Sequence, residues 1–386
     1  MHISSISISN FRNYSQVQLQ IPSGLTLIEG KNGHGKSNLL EALYMLSIAK
    51  SHRLKSESGL INKNSLTEMK NGLTHTFVGA NSINDGNNTK VEIHYTFQPA
   101  NTEKFTTEKF IKINDVKKKT SDLIGIINSV LFTVDDLKLI FGQPSTRRRY
   151  LDILLSQTNV EYFKFLQGYQ KSTTQRNHLL KSIREGKSQI SELEFWDNEI
   201  ATKGSYIVKK RQSAINNLSI LAQKFHKNLS NDAENLTCEY ASTSNNTDND
   251  DESIIKTSII EKLGSFLSKD ISQGSTSIGP HRDDIKIKIN GIYAIEHASR
   301  GQARTAVLSL KLAEADYLKR LRKTEPILLM DDLLSELDIN RKKLVMDHIS
   351  SYEQCIATTA EPNIESDLYL INTNKLIIEN GNILEG

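Results

Sequence analysis

The most specific chemistry in this 386-residue chain lies in one short run, Gly30-Lys31-Asn32-Gly33-His34-Gly35-Lys36-Ser37. It matches the phosphate-loop pattern G-x-x-x-x-G-K-[ST] at every position. Glycines let successive backbone N–H groups turn inward around phosphate oxygens. Lys36 brings a point charge to β and γ phosphates, and the Ser37 hydroxyl suits Mg²⁺. A helix that starts here turns its positive end toward the anion. Those residues imply a bound nucleoside triphosphate with Mg²⁺.

Such a loop needs an acidic partner for the metal. Ile327-Leu328-Leu329-Met330-Asp331-Asp332 supplies it: the apolar run reads as a buried strand with carboxylates at its C-terminal tip. Asp331 is the metal-side carboxylate. Asp332 is placed to orient or deprotonate an attacking water, with a plain turn cap as the alternative. Ser299-Arg300-Gly301-Gln302 opens the apolar helix Ala306–Tyr317. A small-residue turn at a helix start offers N–H groups and a hydroxyl to an anion; taken alone it is equally an ordinary helix cap.

Elements that must position these groups are legible around them. Ile6 and Ile8, then Val17, Leu19 and Ile21, alternate with polar residues as strands do. Leu25–Ile28 is a short strand leading into the loop. Leu39, Leu40, Leu43 and Leu46 recur at helical spacing and predict an amphipathic helix after it. Val91–Phe97 is a strand, and Asn114-Asp115 a hairpin turn. From about Pro144 to 235 leucine, isoleucine and charged residues recur at helical spacing. The polar run 241–252 reads as a solvated loop, a further helix covers 253–268, and strands return after it.

The length allows two or three domains at roughly 100–200 residues each. Hydrophobic residues make up 37% and charged residues 24%, enough for packed cores, and the net charge is only +3. Any nucleic-acid surface must therefore come from local clusters. Those are Lys117–Lys119, Arg147–Arg149, Lys209–Arg211 and Lys319-Arg320 with Arg322-Lys323. The cysteines, Cys238 and Cys355, form no C-x-x-C site. There is no signal-like N-terminus and no run of about 18 apolar residues. The chain reads as cytoplasmic, with no membrane partner.

The order of motifs narrows the class. Phosphate loop, helical insert, serine-glycine-glutamine turn, apolar strand ending in two acids, then Ser335-Glu336-Leu337-Asp338, resembles the ABC-type ATPase head, in the branch that holds SMC proteins. Asn10–Tyr14, Gly30–Asn38, Phe141–Pro144 with Arg147–Asp152, Gly279–Asp284, Ser299–Gln302 and Asp331–Asp338 together resemble the RecF family over nearly the whole chain. The resemblance implies an α/β fold, an ABC-type P-loop ATPase head of mixed sheet and helices. Residues 1–145 and 270–386 would form the head, with a mainly helical arm, 146–269, inserted. It extends the nucleotide site to Asn38 and adds Arg12 near the phosphates. Ser299, Gly301 and Gln302 become a signature motif that closes over ATP held by a second copy, with Asp338 at the seam of that homodimer.

The resemblance further implies a DNA-binding protein of recombinational repair, replication restart and the SOS response. It would act on double-stranded and gapped DNA without base readout, with RecR and RecO as partners in recombinase loading, and be nucleoid-associated. Two departures from transporter-type heads matter. Asp332 stands where those carry glutamate, so its shorter arm predicts slow hydrolysis, which the resemblance implies is stimulated by DNA. Thr359 ends the strand after which they carry a histidine, and its role stays open. Three rival classes are weighed. A long-coiled-coil chromosome ATPase needs sustained heptads and a hook that this insert lacks. A transporter subunit would lack such an arm. A module using ATP only as glue fits poorly with the intact Lys36, Ser37 and Asp331.

Overall fold

A computed structural model of the chain describes residues 1–54, 56–62, 64–65, 72–101, 104–244, 250–360 and 373–385. Its contacts divide the chain into two units, Met1–Asp136 with Leu318–Gly386, and Leu137–Tyr317. In chain order the strands are β1 (His2–Phe11), β2 (Tyr14–Gln20), β3 (Gly24–Glu29), β4 (Thr74–Asn84), β5 (Asn87–Asn101), β6 (Lys104–Ile113), β7 (Val116–Lys118) and β8 (Ser129–Thr133). The second unit holds β9 (Leu236–Ala241), β10 (Asp284–Ile289) and β11 (Ile292–Tyr293). The chain then returns through β12 (Ile327–Asp331), β13 (Gln354–Thr359), β14 (Asn374–Glu379) and β15 (Asn382–Glu385).

The first unit contains two six-stranded sheets. One is antiparallel, in the order β2-β1-β4-β5-β6-β7. Its alternation places Val91, Ile93, Tyr95 and Phe97 of β5 inward, all fully buried. The β6–β7 hairpin turns at Asn114 and Asp115, both with positive φ, which these short polar side chains tolerate. The other sheet has the order β15-β14-β3-β13-β12-β8 and is parallel except for β15. Helix α1 (Lys36–Ile48) contacts β4 and β5 of the first sheet and β8, β12 and β13 of the second. It is therefore not the one-sided amphipathic helix that leucine spacing suggests. Ala42, Tyr44 and Met45 are buried along with the four leucines, and so is Glu41.

The second unit is built on the helices Pro144–Thr158, Val160–Arg184, Leu193–Leu229 and Glu252–Ser265. Pro144 opens the first of these, where its missing N–H costs nothing. Asn159 caps the second by accepting from the N–H groups of Glu161 and Tyr162. A small sheet in the order β11-β10-β9 completes the unit. The sequence-based boundaries, 146 and 269, are narrower than this unit, which runs from Leu137 to Tyr317. The reason is hydrogen bonding between distant segments. Strand β10 pairs with β9. Arg211 on the long helix donates to the Pro280 carbonyl at 2.6 Å and to Asp152 at 2.7 Å. Tyr240 donates to Asp283, and Arg147 forms a bidentate pair with Asp284. The segment 279–284 thus belongs to the arm by its bonds. Residues 245–249 of the expected polar loop lie outside the described residues.

These bonds also change the reading of two basic clusters. Arg147 and Arg211 are buried and paired with carboxylates, and Arg148 donates to the Asp283 carbonyl. Lys209 donates to the Asp250 carbonyl. Charge runs in sequence show the cation and not its partner. Lys117, Lys118 and Lys119 are exposed, as are Arg320 and Lys323.

Arg176 and Asp270 are both completely buried and lie 2.7 Å apart, with Asp197 on the Arg176 Nε. Removing one member leaves an unanswered charge in the interior, which costs about 3–5 kcal/mol. Arg176→Ala should lower the unfolding free energy by that amount, read as a lower urea midpoint at unchanged slope. A midpoint within error of the parent would show that the pair contributes nothing to the second unit's stability.

Candidate functional site

In the parallel sheet β13 lies between β3 and β12, so the C-terminal ends of all three face one crevice. The phosphate loop leaves β3 there. Gly30 has φ +154, and a Cβ on it would sit 2.4 Å from the Ile378 carbonyl oxygen. Gly35 has φ +120, and a Cβ would meet the Asn13 Nδ2 at 2.5 Å and the Tyr14 hydroxyl at 2.9 Å. Both positions therefore require glycine. Tyr14 donates to the Gly35 carbonyl, and Asn13 Nδ2 and the Gly381 N–H both donate to the His34 carbonyl. Asn38 Nδ2 donates to Asn13 Oδ1. Burial pushes the Tyr14 phenol well above its ordinary range, which keeps it a donor. The loop is thus gripped from behind by Asn13, Tyr14 and the β14–β15 turn. Lys31, Asn32 and Gly33 at its tip stay exposed.

Inside the crevice Lys36 Nζ donates to the carbonyls of Gly30 and Lys31. Burial pulls its pKa below the ordinary lysine value, while Asp332 and Asp331 act in the opposite direction. Ser37 Oγ donates to Asp331 Oδ1 at 2.7 Å, joining the first turn of α1 to the tip of β12. Thr358 Oγ1 donates to the same oxygen at 3.1 Å and accepts the Asp332 N–H at 3.0 Å. Asp332 has φ +51, a left-handed conformation that is uncommon outside glycine, asparagine and aspartate. Its Oδ1 is buried and has no hydrogen-bond partner. A buried, unpaired carboxylate oxygen is costly unless something binds it. Ser37, Asp331 and Asp332 beside a glycine cradle therefore fit a magnesium nucleotide by donor type: hard oxygens for the metal, N–H groups and one ammonium for phosphates.

From the bend between β1 and β2 the Arg12 side chain reaches α1. Its guanidinium binds both carboxylate oxygens of the buried Glu41, at 2.9 and 2.7 Å, and donates to the Gly59 carbonyl. Ser51 also donates to Glu41, and Arg53 lies 3.7 Å away. Sequence reasoning missed Glu41 and Thr358. An acid among the buried leucines of α1 and a hydroxyl closing the run Cys355-Ile356-Ala357 were the available signals. Thr359 is fully buried in register with Glu29 of β3.

In the second unit the turn before the helix Arg300–Arg322 is exposed at Ser299, Arg300 and Gly301. The Ser299 N–H donates to Gln302 Oε1 at 2.8 Å, and the Gln302 N–H donates to Ser299 Oγ at 3.2 Å. This is a reciprocal capping box, so Ser299 does cap its own helix. Asp338, in the first unit, likewise caps its own helix through the Arg341 N–H. His281 bonds the Tyr169 hydroxyl and the Thr276 carbonyl, a structural role, and burial holds its pKa down at about 4.

The parallel sheet, the phosphate loop after β3 and the acid-tipped strand β12 define a P-loop ATPase of the SMC-head type. The model of the RecF/RecN/SMC N terminal domain matches residues 2–373. The DNA replication and repair protein RecF of Thermoanaerobacter sp. (strain X514) is 36% identical over 380 residues, covering 98% of this chain and all of that one. RecF of Clostridium novyi (strain NT) is 36% identical over 385 residues, 99% of each chain. A solved structure of the recombination mediator protein RecF with ATP, from the RecFOR pathway, superposes with a TM-score of 0.88 at 32% identity, over 100% of this chain and 97% of that one. An Smc head bound to the winged-helix domain of ScpA matches at 18% identity with a TM-score of 0.52, a likeness of fold. The chain belongs to the RecF family of DNA replication and repair proteins. Among the described residues no helix is long and apolar enough to cross a membrane.

Because Glu41 is fully buried and its bidentate partner is Arg12, Arg12→Ala should destabilise the first unit by about 3–5 kcal/mol. Thermal melting without nucleotide checks this. A variant that melts like the parent but binds ATP weakly would instead put Arg12 on the phosphates.

Proposed function

We propose that this chain is an ATP-dependent DNA-binding protein of recombinational repair and replication restart, in which ATP serves as a switch. One observation carries the reading. Ser37 and Asp331, 294 residues apart, meet at 2.7 Å. Beside them stand Lys36 and a buried, unpartnered oxygen of Asp332. This set has the composition a triphosphate needs, and the loop tip is open to receive it.

In this reading backbone N–H groups from Gly30 to Lys36 wrap the β phosphate, and Lys36 turns from two carbonyls to the β and γ phosphates. Ser37 and Asp331 would hold Mg²⁺, which when bound neutralises charge between those phosphates. Asp332 orients the attacking water and accepts its proton. The exposed Ser299–Gln302 turn acts on ATP held by a second copy, so closure makes a two-fold homodimer. Hydrolysis is slow and stimulated by DNA. Double-stranded and gapped DNA is held through phosphates, for which the exposed Lys117–Lys119 is a suitable patch. The pathway named for the ATP-bound relative, RecFOR, supports RecR and RecO as partners in recombinase loading. The cytoplasm, at the nucleoid, is the matching location.

Two variants test the site. Lys36→Ala should abolish tight ATP binding and, with it, ATP-induced dimerisation in sedimentation velocity; an unchanged dimer would place the nucleotide elsewhere. Asp332→Asn keeps the size and the tolerance of positive φ and loses the base. It should bind ATP normally, hydrolyse it at least about tenfold more slowly, and persist as a closed dimer on DNA. A parental single-turnover rate would remove Asp332 from the chemistry.

A further inference from the structure

The capping box at Ser299–Gln302 has a continuation that helix capping does not require. Gln302 Nε2 donates to Glu234 Oε1 at 2.8 Å. The other oxygen of Glu234 lies 3.1 Å from Nε2 of His226, a completely buried residue in the last turn of the helix Leu193–Leu229. His226 Nδ1 is 3.3 Å from the Ser309 hydroxyl, which itself donates to the Thr305 carbonyl. One strap of side chains thus runs from the exposed turn to the end of the arm helix and back to the turn's own helix. The Glu234 N–H is held by Ser230 Oγ, so the carboxylate starts from an anchored backbone.

The chemistry of the strap fixes the turn. An ionised carboxylate only accepts hydrogen bonds. Glu234 therefore obliges Gln302 to point its NH₂ inward, which leaves Oε1 facing outward to the Ser299 N–H. Without Glu234 the amide gains a second orientation, in which NH₂ would face the Ser299 N–H, donor against donor, and the capping box opens. Capping alone would be satisfied by Ser299 and Gln302. The added charged acceptor, tied to a buried imidazole, fixes the orientation of the exposed segment.

We infer that Glu234 is a positioning residue for the Ser299–Gln302 turn: it locks the turn in the conformation that meets ATP bound by a second copy of this chain, with His226 anchoring it to the arm helix. The inference rests on the reading that this turn acts across a dimer, and the test separates the two. Glu234→Ala should bind ATP with parental affinity, since Lys36 and Ser37 are untouched, and should lose about ten- to a hundredfold in single-turnover hydrolysis, the worth of one charge-assisted hydrogen bond. Glu234→Gln retains the size and an oxygen that can accept from Gln302 and should recover part of that loss, whereas Glu234→Leu, which fills the same space without an acceptor, should recover none.

Mixing locates the effect. A Glu234→Ala chain combined with a Lys36→Ala chain has one composite site with an intact loop facing an intact turn, and hydrolysis should partly return. Ser299→Arg combined with Lys36→Ala is the reference pair. Recovery in both mixtures supports the inference. A parental rate for Glu234→Ala overturns it. So does recovery with Ser299→Arg but not with Glu234→Ala, which would put Glu234 to work within its own chain. If neither mixture recovers although heterodimers form, the dimer reading fails first and the inference falls with it.

Discussion

A charge buried beneath the phosphate loop is the constraint on which the first unit depends. Helix α1 is enclosed by two sheets, and such a helix is expected to be apolar all round. Glu41 breaks that rule at a position with no exposure. The bidentate hold of Arg12, assisted by Ser51, makes the carboxylate tolerable there. Arg12 comes from the bend between β1 and β2, with φ +56, and Asn13 and Tyr14 follow it at once. The residue that answers the buried acid thereby delivers the two residues that grip the loop. Helix position, loop conformation and the edge of the antiparallel sheet are consequences of one ion pair and its neighbours.

The same economy appears at the acid strand. Asp331 is reached from α1 by Ser37 and from β13 by Thr358. The backbone then turns into a left-handed residue at Asp332, where the Thr358 hydroxyl accepts its N–H. Aspartate tolerates that conformation, and its surroundings hold it there. Here they leave one carboxylate oxygen buried and unused, which is why the observation bears on chemistry and not only on packing.

Local signals made much of this legible. The phosphate loop, β3, α1 and β12 are contiguous runs whose spacing carries their meaning, and the Asn114-Asp115 hairpin follows from turn chemistry. What stayed hidden depends on partners distant in sequence. Thr358 gained its role from parallel pairing with Asp331. Glu41 carries no local signal of its burial, because its partner Arg12 lies 29 residues away. Arg147 and Arg211 read as basic surface and are instead interior cations held by Asp284 and Asp152. The unit Leu137–Tyr317 depends on the same kind of bond: those of segment 279–284 run to side chains about 40–140 residues earlier.

The partners of Lys36 bear on how this loop would hold a phosphate. The Lys36 ammonium rests on two neutral carbonyls, partly desolvated, with Asp332 and Asp331 as nearby opposing charges. Neutral carbonyls compensate a buried cation less well than phosphate oxygens do. The ammonium therefore has a better partner available than the one it holds, and the loop carbonyls lose nothing that solvent cannot replace at the exposed tip. A phosphate taken up at this site would exchange partners with Lys36 within a loop whose backbone is held by Asn13, Tyr14 and Gly381. A preformed cradle with one side chain left to move suits a protein in which nucleotide occupancy, more than turnover, is the signal.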